Sequence, residues 1–82
     1  MINLSNEYIA ENLQDILNNE YSTIKAVREL YEKIQNNIDI EAAYQIDHII
    51  TRIKMSAGAM EALKYKLLGA EAAIELEKKK SM

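Results

Sequence analysis

Three side chains with useful chemistry follow one another at one-turn spacing near the middle of the chain: Tyr44, His48 and Arg52. Positions four residues apart lie on the same side of an α-helix, so these groups line up if the segment is helical. Arginine supplies a permanent forked cation, histidine a donor that titrates near neutral pH, and tyrosine a ring and a hydroxyl. The trio predicts a site for a small anion, although an ordinary polar strip on a surface helix explains the same spacing.

The other residues give little support for catalysis. The chain has one His and no Cys, so it offers neither a pair of His ligands for zinc nor a thiol nucleophile. It contains no glycine-rich phosphate loop and no Ser with a plausible base beside it. Glu7 and Glu11 are four residues apart, as are Glu71 and Glu75, but such pairs are routine on exposed helix faces. We therefore expect a protein that is not an enzyme, with no catalytic residue, metal or cofactor.

Charge is distributed unevenly along the chain, although the formal net charge is only −3. Residues 1–49 carry nine acidic and three basic side chains, whereas residues 50–82 carry four acidic and seven basic ones. These halves should attract each other, within a subunit or between two subunits. Three of the basic residues form the run 78–80, which suits the carboxyl end of a helix and is too short to indicate a nucleic-acid site.

The composition predicts a folded, all-helical protein. Apolar residues make up 49% of the chain and charged residues 28%, which is typical of a globular or coiled-coil protein. Without Pro, and with only two Gly, the chain lacks the turns that a small β-fold needs.

No basic segment precedes an apolar run at the amino terminus, and no stretch approaches the ~20 apolar residues of a membrane span, which favours a cytoplasmic protein with no membrane contact. The abundance of Ile, Asn and Lys is typical of an AT-rich bacterial or phage gene.

Three helices are expected to position these side chains. Ser5 and Asp39 are good amino-terminal caps, and Asn18 and Asn19 favour a turn. The three predicted helices cover residues 5–18, 23–35 and 40–78. The fold predicted from them is a single domain, residues 1–82, in which two short helices pack on one long carboxy-terminal helix.

The strongest pattern in the sequence is an apolar heptad repeat along the third predicted helix. Spacings of four and three residues alternate from Ala42 to Ile74, and Ser56 is the one polar residue in the series. A repeat of this length indicates a continuous packing surface of the coiled-coil type. Its large members, here termed the heptad strip, are Ile46, Ile49, Ile53, Met60, Leu63, Leu67 and Ile74.

Two short helices leave part of the heptad strip uncovered. A helix of about 13 residues spans roughly 20 Å, whereas one of about 38 residues spans roughly 57 Å. Each large aliphatic side chain left in water forgoes about 1.5 to 3 kcal/mol of burial, so a second copy is expected to cover the strip in a homo-oligomer. The alternative breaks the long helix near Gly58 and closes a compact four-helix bundle within one chain.

These patterns favour a non-enzymatic interaction protein over other classes of function. Such a protein would act as an adaptor, a chaperone-like binder or an inhibitor of a larger protein, with Glu29 and Glu32 as the docking point for a basic partner. One alternative is a helical oligomer that binds or sequesters a small anionic ligand or nucleotide between subunits through the trio. A further alternative is a structural component of a phage or secretion assembly.

Overall fold

The computed structural model describes residues 5–81, and every regular element within that range is an α-helix. The helices are α1 (Asn6–Ile34), α2 (Ile40–Leu68) and α3 (Ala70–Lys80). The all-helical prediction is confirmed for this part of the chain. None of the three helices is both apolar enough and long enough to cross a lipid bilayer.

Both long helices begin at the caps that the sequence predicts. The Ser5 hydroxyl accepts a hydrogen bond from the backbone N–H of Tyr8 at 3.1 Å, and the Asp39 carboxylate accepts one from Ala42 at 2.8 Å. Each cap satisfies one of the amide groups that a helix leaves without a partner in its first turn.

The predicted turn around Asn18 is wrong, because α1 continues through it as one helix of 29 residues. Helices over 5–18 and 23–35 are therefore a single element. The Asn18 amide donates to the backbone carbonyl of Lys80 at 3.2 Å, and the Thr23 hydroxyl bonds back to the carbonyl of Asn19 at 2.9 Å. Leu17 and Ile24, seven residues apart, are both buried, so packing along one face outweighs the local preference of Asn for a turn.

The prediction of one continuous helix over 40–78 is correct at Gly58, where the helix continues, and wrong at Gly69, where it ends. Helix α2 runs through Gly58 without interruption, which also excludes the four-helix alternative. The break comes at Gly69, whose φ of 83° and ψ of 160° place it in a region that is almost closed to residues with a Cβ. The arrangement of two short helices on one long helix is thus replaced by two long helices and a short third one.

Helices α1 and α2 form an antiparallel hairpin joined by residues 35–39, and α3 folds back from Gly69 into a groove on one side of it. The Asn6 amide bonds to the carbonyl of Leu67 at 3.2 Å near the start of α3, while Asn18 reaches Lys80 at its end. Helix α3 therefore covers only the amino-terminal half of α1, here termed its lower half. The molecule measures 51 × 25 × 24 Å, with three packed helices at one end and a bare hairpin at the other.

The apolar core is small. Its buried residues are Ala10, Leu17, Ile24, Ala57, Ala73 and Leu76. Half of these are alanines, so few large side chains gain the full free energy of burial. Most of the larger apolar side chains, which would gain the most free energy from burial, are half-buried or exposed on surfaces that the three helices leave uncovered.

Candidate functional site

A buried lysine cluster joins the three helices in the half of the molecule where α3 packs against the hairpin. The Lys64 ammonium, on α2, is inaccessible to solvent and lies 2.6 Å from Gln14 Oε1 of α1 and 2.7 Å from Glu77 Oε1 of α3. Glu61, one turn earlier on α2, lies 3.1 Å from the same ammonium. A charged amine can be buried when carboxylates and an amide oxygen occupy its donors in this way.

Two tyrosines border the lysine cluster. The Tyr21 hydroxyl donates to Glu61 Oε1 at 3.2 Å, and the Tyr65 hydroxyl lies 3.5 Å from Glu77 Oε1. Burial raises the pKa of Tyr21 above its ordinary value, and the negative charge of Glu61 raises it further. Hydrogen bonding to Lys64 lowers the pKa of Glu77 and outweighs the opposing effect of desolvation. These two shifts in pKa favour a protonated Tyr21 and an ionised Glu77 at neutral pH.

The contacts of this cluster connect the three helices. Its carboxylates are engaged by Lys64 and the tyrosines, so they are poorly placed to hold a metal or to move a substrate proton. Within residues 5–81, no three His, Asp or Glu side chains come together in a geometry that could bind a metal ion. A second contact, between Lys80 and Asp15 at 2.9 Å, holds the far end of α3 against α1.

The groove that α3 fills continues beyond Lys80 along the bare half of the hairpin. Its volume there is about 490 Å³, and it is open to solvent. Tyr31 and Ile46 come from facing helices, and Arg28, Glu32 and Asp47 form its polar border. We refer to this segment as the upper groove, since it begins where α3 stops.

On the opposite side from α3, the hairpin exposes a second surface, here termed the open face. Helical spacing from the buried positions places its apolar residues on one side of α1 and α2. Those residues are Ile9, Leu13, Ile16, Val27, Leu30 and Ile34 on α1, with Ile49 and Leu63 on α2. The exposed fraction is 47% for Ile16, 51% for Leu30 and 43% for Leu63. Large aliphatic side chains of both long helices therefore remain in contact with solvent.

The heptad strip is divided among three surfaces. Ile46, Ile53, Met60 and Leu67 are half-buried on the side of α2 that faces α1. Ile49 and Leu63 lie on the open face, and Ile74 is 42% exposed on α3.

Residues that sequence reasoning missed complete the line that faces α1, chiefly Ala57 and Lys64. Lys64 lies seven residues after Ala57, so the two occupy the same heptad position. This spacing is the one feature of the sequence that indicates a shared buried face.

The trio Tyr44, His48 and Arg52 lies on one side of α2, and all three residues are exposed. Tyr44 borders the upper groove, but His48 and Arg52 are not part of its lining. The structure thus aligns the trio without enclosing a pocket around it, and anion binding stays a prediction.

Glu29 and Glu32, the predicted docking residues, lie on the exposed surface of α1. Both border a hollow that is also lined by Lys25, Arg28 and Lys54. On this side of α1 the two glutamates therefore have bases of both long helices beside them, whereas the upper groove is lined by two acids and one base.

Comparison with known proteins gives no match: no family profile fits the sequence, and no curated protein or solved structure is significantly similar to it. The functional argument therefore depends on the surfaces of the molecule itself.

Proposed function

We propose that the protein is a non-enzymatic helical interaction protein that binds a helix of a larger protein, as an adaptor, chaperone-like binder or inhibitor would. One observation carries the proposal: ten large aliphatic and aromatic side chains are exposed, while half of the buried apolar residues are alanines. Exposed apolar surface of this kind marks a place where another protein binds.

The upper groove supports a helix as the bound element. Helix α3 already occupies the lower part of the same groove, so the spacing of α1 and α2 suits a packed helix. Tyr31 and Ile46 offer apolar contacts to such a helix, and an aromatic ring with a polar end is common in interfaces. The upper groove is thus a continuation of a surface that accepts a helix within this molecule.

The charges beside the upper groove favour a basic helix as the partner. Glu32 and Asp47 border it from opposite helices, and Glu29 lies one turn from Glu32 on its outer edge. Arg28 is the one base in the groove lining. A partner helix with an apolar strip flanked by Lys or Arg would complement this border, and rim charges of this type mainly set association rate and specificity.

The proposal is tested by charge reversal at the acidic border. Proteins captured from cell extract on the wild-type chain would be purified and titrated against it, against Glu29→Lys/Glu32→Lys, and against the control Glu71→Lys/Glu75→Lys on α3. We expect a partner whose affinity falls on the order of tenfold with the first pair and is unchanged with the second. If every purified partner binds the first pair as tightly as the wild type, this docking surface is wrong.

A further inference from the structure

The open face is nearly free of charge along its central part. Between Leu13 and Ile34 on α1, and between Gln45 and Leu63 on α2, helical spacing places only two charged residues on it, Glu20 and Arg52. Depletion of charge at the centre of an apolar surface is typical of the core of a protein interface. This face therefore differs from the upper groove, whose border carries several charges.

The molecule exposes more surface than a compact monomer does. Its accessible surface is 6335 Å², whereas a compact globular chain of 9.4 kDa exposes about 5,000 Å². The difference is larger than the roughly 800 Å² that each subunit buries in a standard interface. The radius of gyration of 16.1 Å also exceeds the ~12 Å expected for a chain of this length. The elongated molecule thus exposes an excess of surface that exceeds what each subunit of a standard dimer buries.

Glu20 and Arg52 are each incompletely paired within the described residues. Glu20 Oε1 accepts a hydrogen bond from Ser56 Oγ at 3.0 Å across the hairpin, but its Oε2 is buried and has no hydrogen-bond partner. A buried acceptor without a partner is unfavourable in a folded protein. Arg52 is exposed and forms no ion pair within residues 5–81. Arg52 therefore lies on the surface of the open face, and the half-buried Glu20 carboxylate lies just beneath it, where a turn of its side chain toward solvent brings Oε2 to a second surface.

We propose that the open face binds a second copy of this chain, with the two-fold axis parallel to the helices and with Glu20 of each subunit paired to the partner subunit's Arg52. This proposal deepens the proposed function by naming one binding partner, and it concerns a surface distinct from the upper groove. An isologous contact of this kind uses the same patch on both subunits.

The direction of the two-fold axis follows from the positions of the two charges. An axis parallel to the helices places α1 of one subunit against α2 of the other, and these helices run in opposite directions. Ser56 marks the level of Glu20 on α2, and Arg52 lies one helical turn, about 6 Å, beyond it. A long arginine side chain covers that separation. An axis perpendicular to the helices would instead place α1 on α1, with no base opposite Glu20.

The resulting dimer is a four-helix bundle of two hairpins, with the two copies of α3 on its outer sides. Ile16, Leu30, Ile49 and Leu63 become buried at its centre, where they contact the partner hairpin. The guanidinium of Arg52 is engaged by the partner, so it is no longer available to a small anion. The homo-oligomer and the anion-binding trio are therefore competing uses of the same residue.

A charge swap tests the pairing directly. Sedimentation equilibrium should give twice the chain mass of 9.4 kDa for the wild type. Glu20→Arg and Arg52→Glu should each weaken the dimer on the order of tenfold to a hundredfold, and the double variant Glu20→Arg/Arg52→Glu should recover most of that loss. Glu29→Arg, on the same helix but outside the open face, is the matched control and should leave the dimer unchanged.

The outcomes separate this inference from the proposed function. A chain that stays monomeric at the highest concentration attainable, a dimer indifferent to both reversals, or single variants that the double variant does not rescue would each overturn the pairing. Leu63→Lys is a second test and should also weaken the dimer. Because Leu63 is 43% exposed, its replacement should leave the core of the monomer undisturbed, and circular dichroism checks that the helices are retained. Glu29→Lys/Glu32→Lys should still dimerise even where it loses its partner protein.

Discussion

The Lys64 ammonium lies 2.7 Å from the Glu77 carboxylate, and this contact ties the short third helix to the hairpin. Lys64 is fully buried on α2, whereas Glu77 is partly exposed on α3. Gln14 of α1 meets the same ammonium, so one side chain connects all three helices. The stability of the three-helix half of the molecule should therefore depend on Lys64 more than on any surface ion pair.

Replacing the buried lysine should destabilise the protein markedly. Lys64→Met keeps most of the side-chain volume but leaves Glu61, Glu77 and Gln14 without their shared donor. Removing one partner of a buried ion pair typically costs about 3 to 5 kcal/mol, and we expect the lower part of that range because Glu77 is partly solvated. Urea denaturation followed by circular dichroism measures the loss. The exposed Lys66→Met is the control, and an equal effect of both variants would contradict a special role for Lys64.

Acid should weaken the contact between α3 and the hairpin. The pKa of Glu77 is lowered by its hydrogen bond to Lys64, so the folded state binds this proton less readily than the unfolded chain, whose carboxyl has the ordinary value of 4.5. The stabilisation is complete above that value and is lost as the pH falls through the lowered pKa of the folded state. The free energy of unfolding, measured at a series of pH values, should therefore decline in acid.

Glu77→Gln provides the control for this titration. Its amide cannot ionise, so the variant should be less stable than the wild type at neutral pH and should show a weaker decline in acid. Parallel pH profiles for the two proteins would exclude Glu77 as the group responsible.

Two adjacent residues on α1 should respond very differently to truncation. Leu17 is fully buried, while Ile16 is 47% exposed on the open face. Leu17→Ala should lower the free energy of unfolding by about 2 to 5 kcal/mol, because it removes core contacts and leaves a cavity. Ile16→Ala should cost much less at low protein concentration and more at high concentration, where the proposed dimer buries it. Denaturation at two protein concentrations distinguishes these cases, and an effect of Ile16→Ala that does not depend on concentration would count against burial at the dimer interface.

The sequence predicted the helical class and the caps because these depend on local chemistry. Ser5 and Asp39 act on amide groups within their own first turn, so no tertiary information is needed to recognise them. Asn18 shows the opposite case. Its amide is satisfied by the carbonyl of Lys80, 62 residues away, and that contact exists only after α3 folds back. Local preference alone therefore predicted a turn that long-range contacts prevent.

The lysine cluster was missed for a related reason. A lysine at a core position of a helical repeat is normally assigned to the surface, since burial of an unpaired charge is costly. Glu77 becomes its neighbour only because the chain reverses at Gly69. The missed reversal also explains why Ile74 was assigned to the same strip as Ile46, although it lies on a different helix.

The last prediction concerns Gly69, whose conformation separates α2 from α3 and lets the chain reverse direction instead of continuing as one long helix. Its φ of 83° is unfavourable for any residue with a side chain, although no atom beyond the two adjacent residues lies within 4 Å of the position a Cβ would take. Gly69→Ala should therefore strain the reversal by about 1 to 3 kcal/mol through the backbone rather than through a clash. Relief of that strain would join α2 and α3 into one helix and separate Lys64 from Glu77.

Small-angle X-ray scattering and urea denaturation measure the two consequences of Gly69→Ala: a radius of gyration above 16.1 Å and a lower stability. Gly58→Ala is the matched control, because Gly58 lies within α2, has open space around its Cα and has an ordinary helical φ. Alanine is favoured over glycine inside a helix, so this variant should gain about 0.5 to 1 kcal/mol. If the two variants have the same sign of effect on stability, the reversal at Gly69 does not depend on glycine.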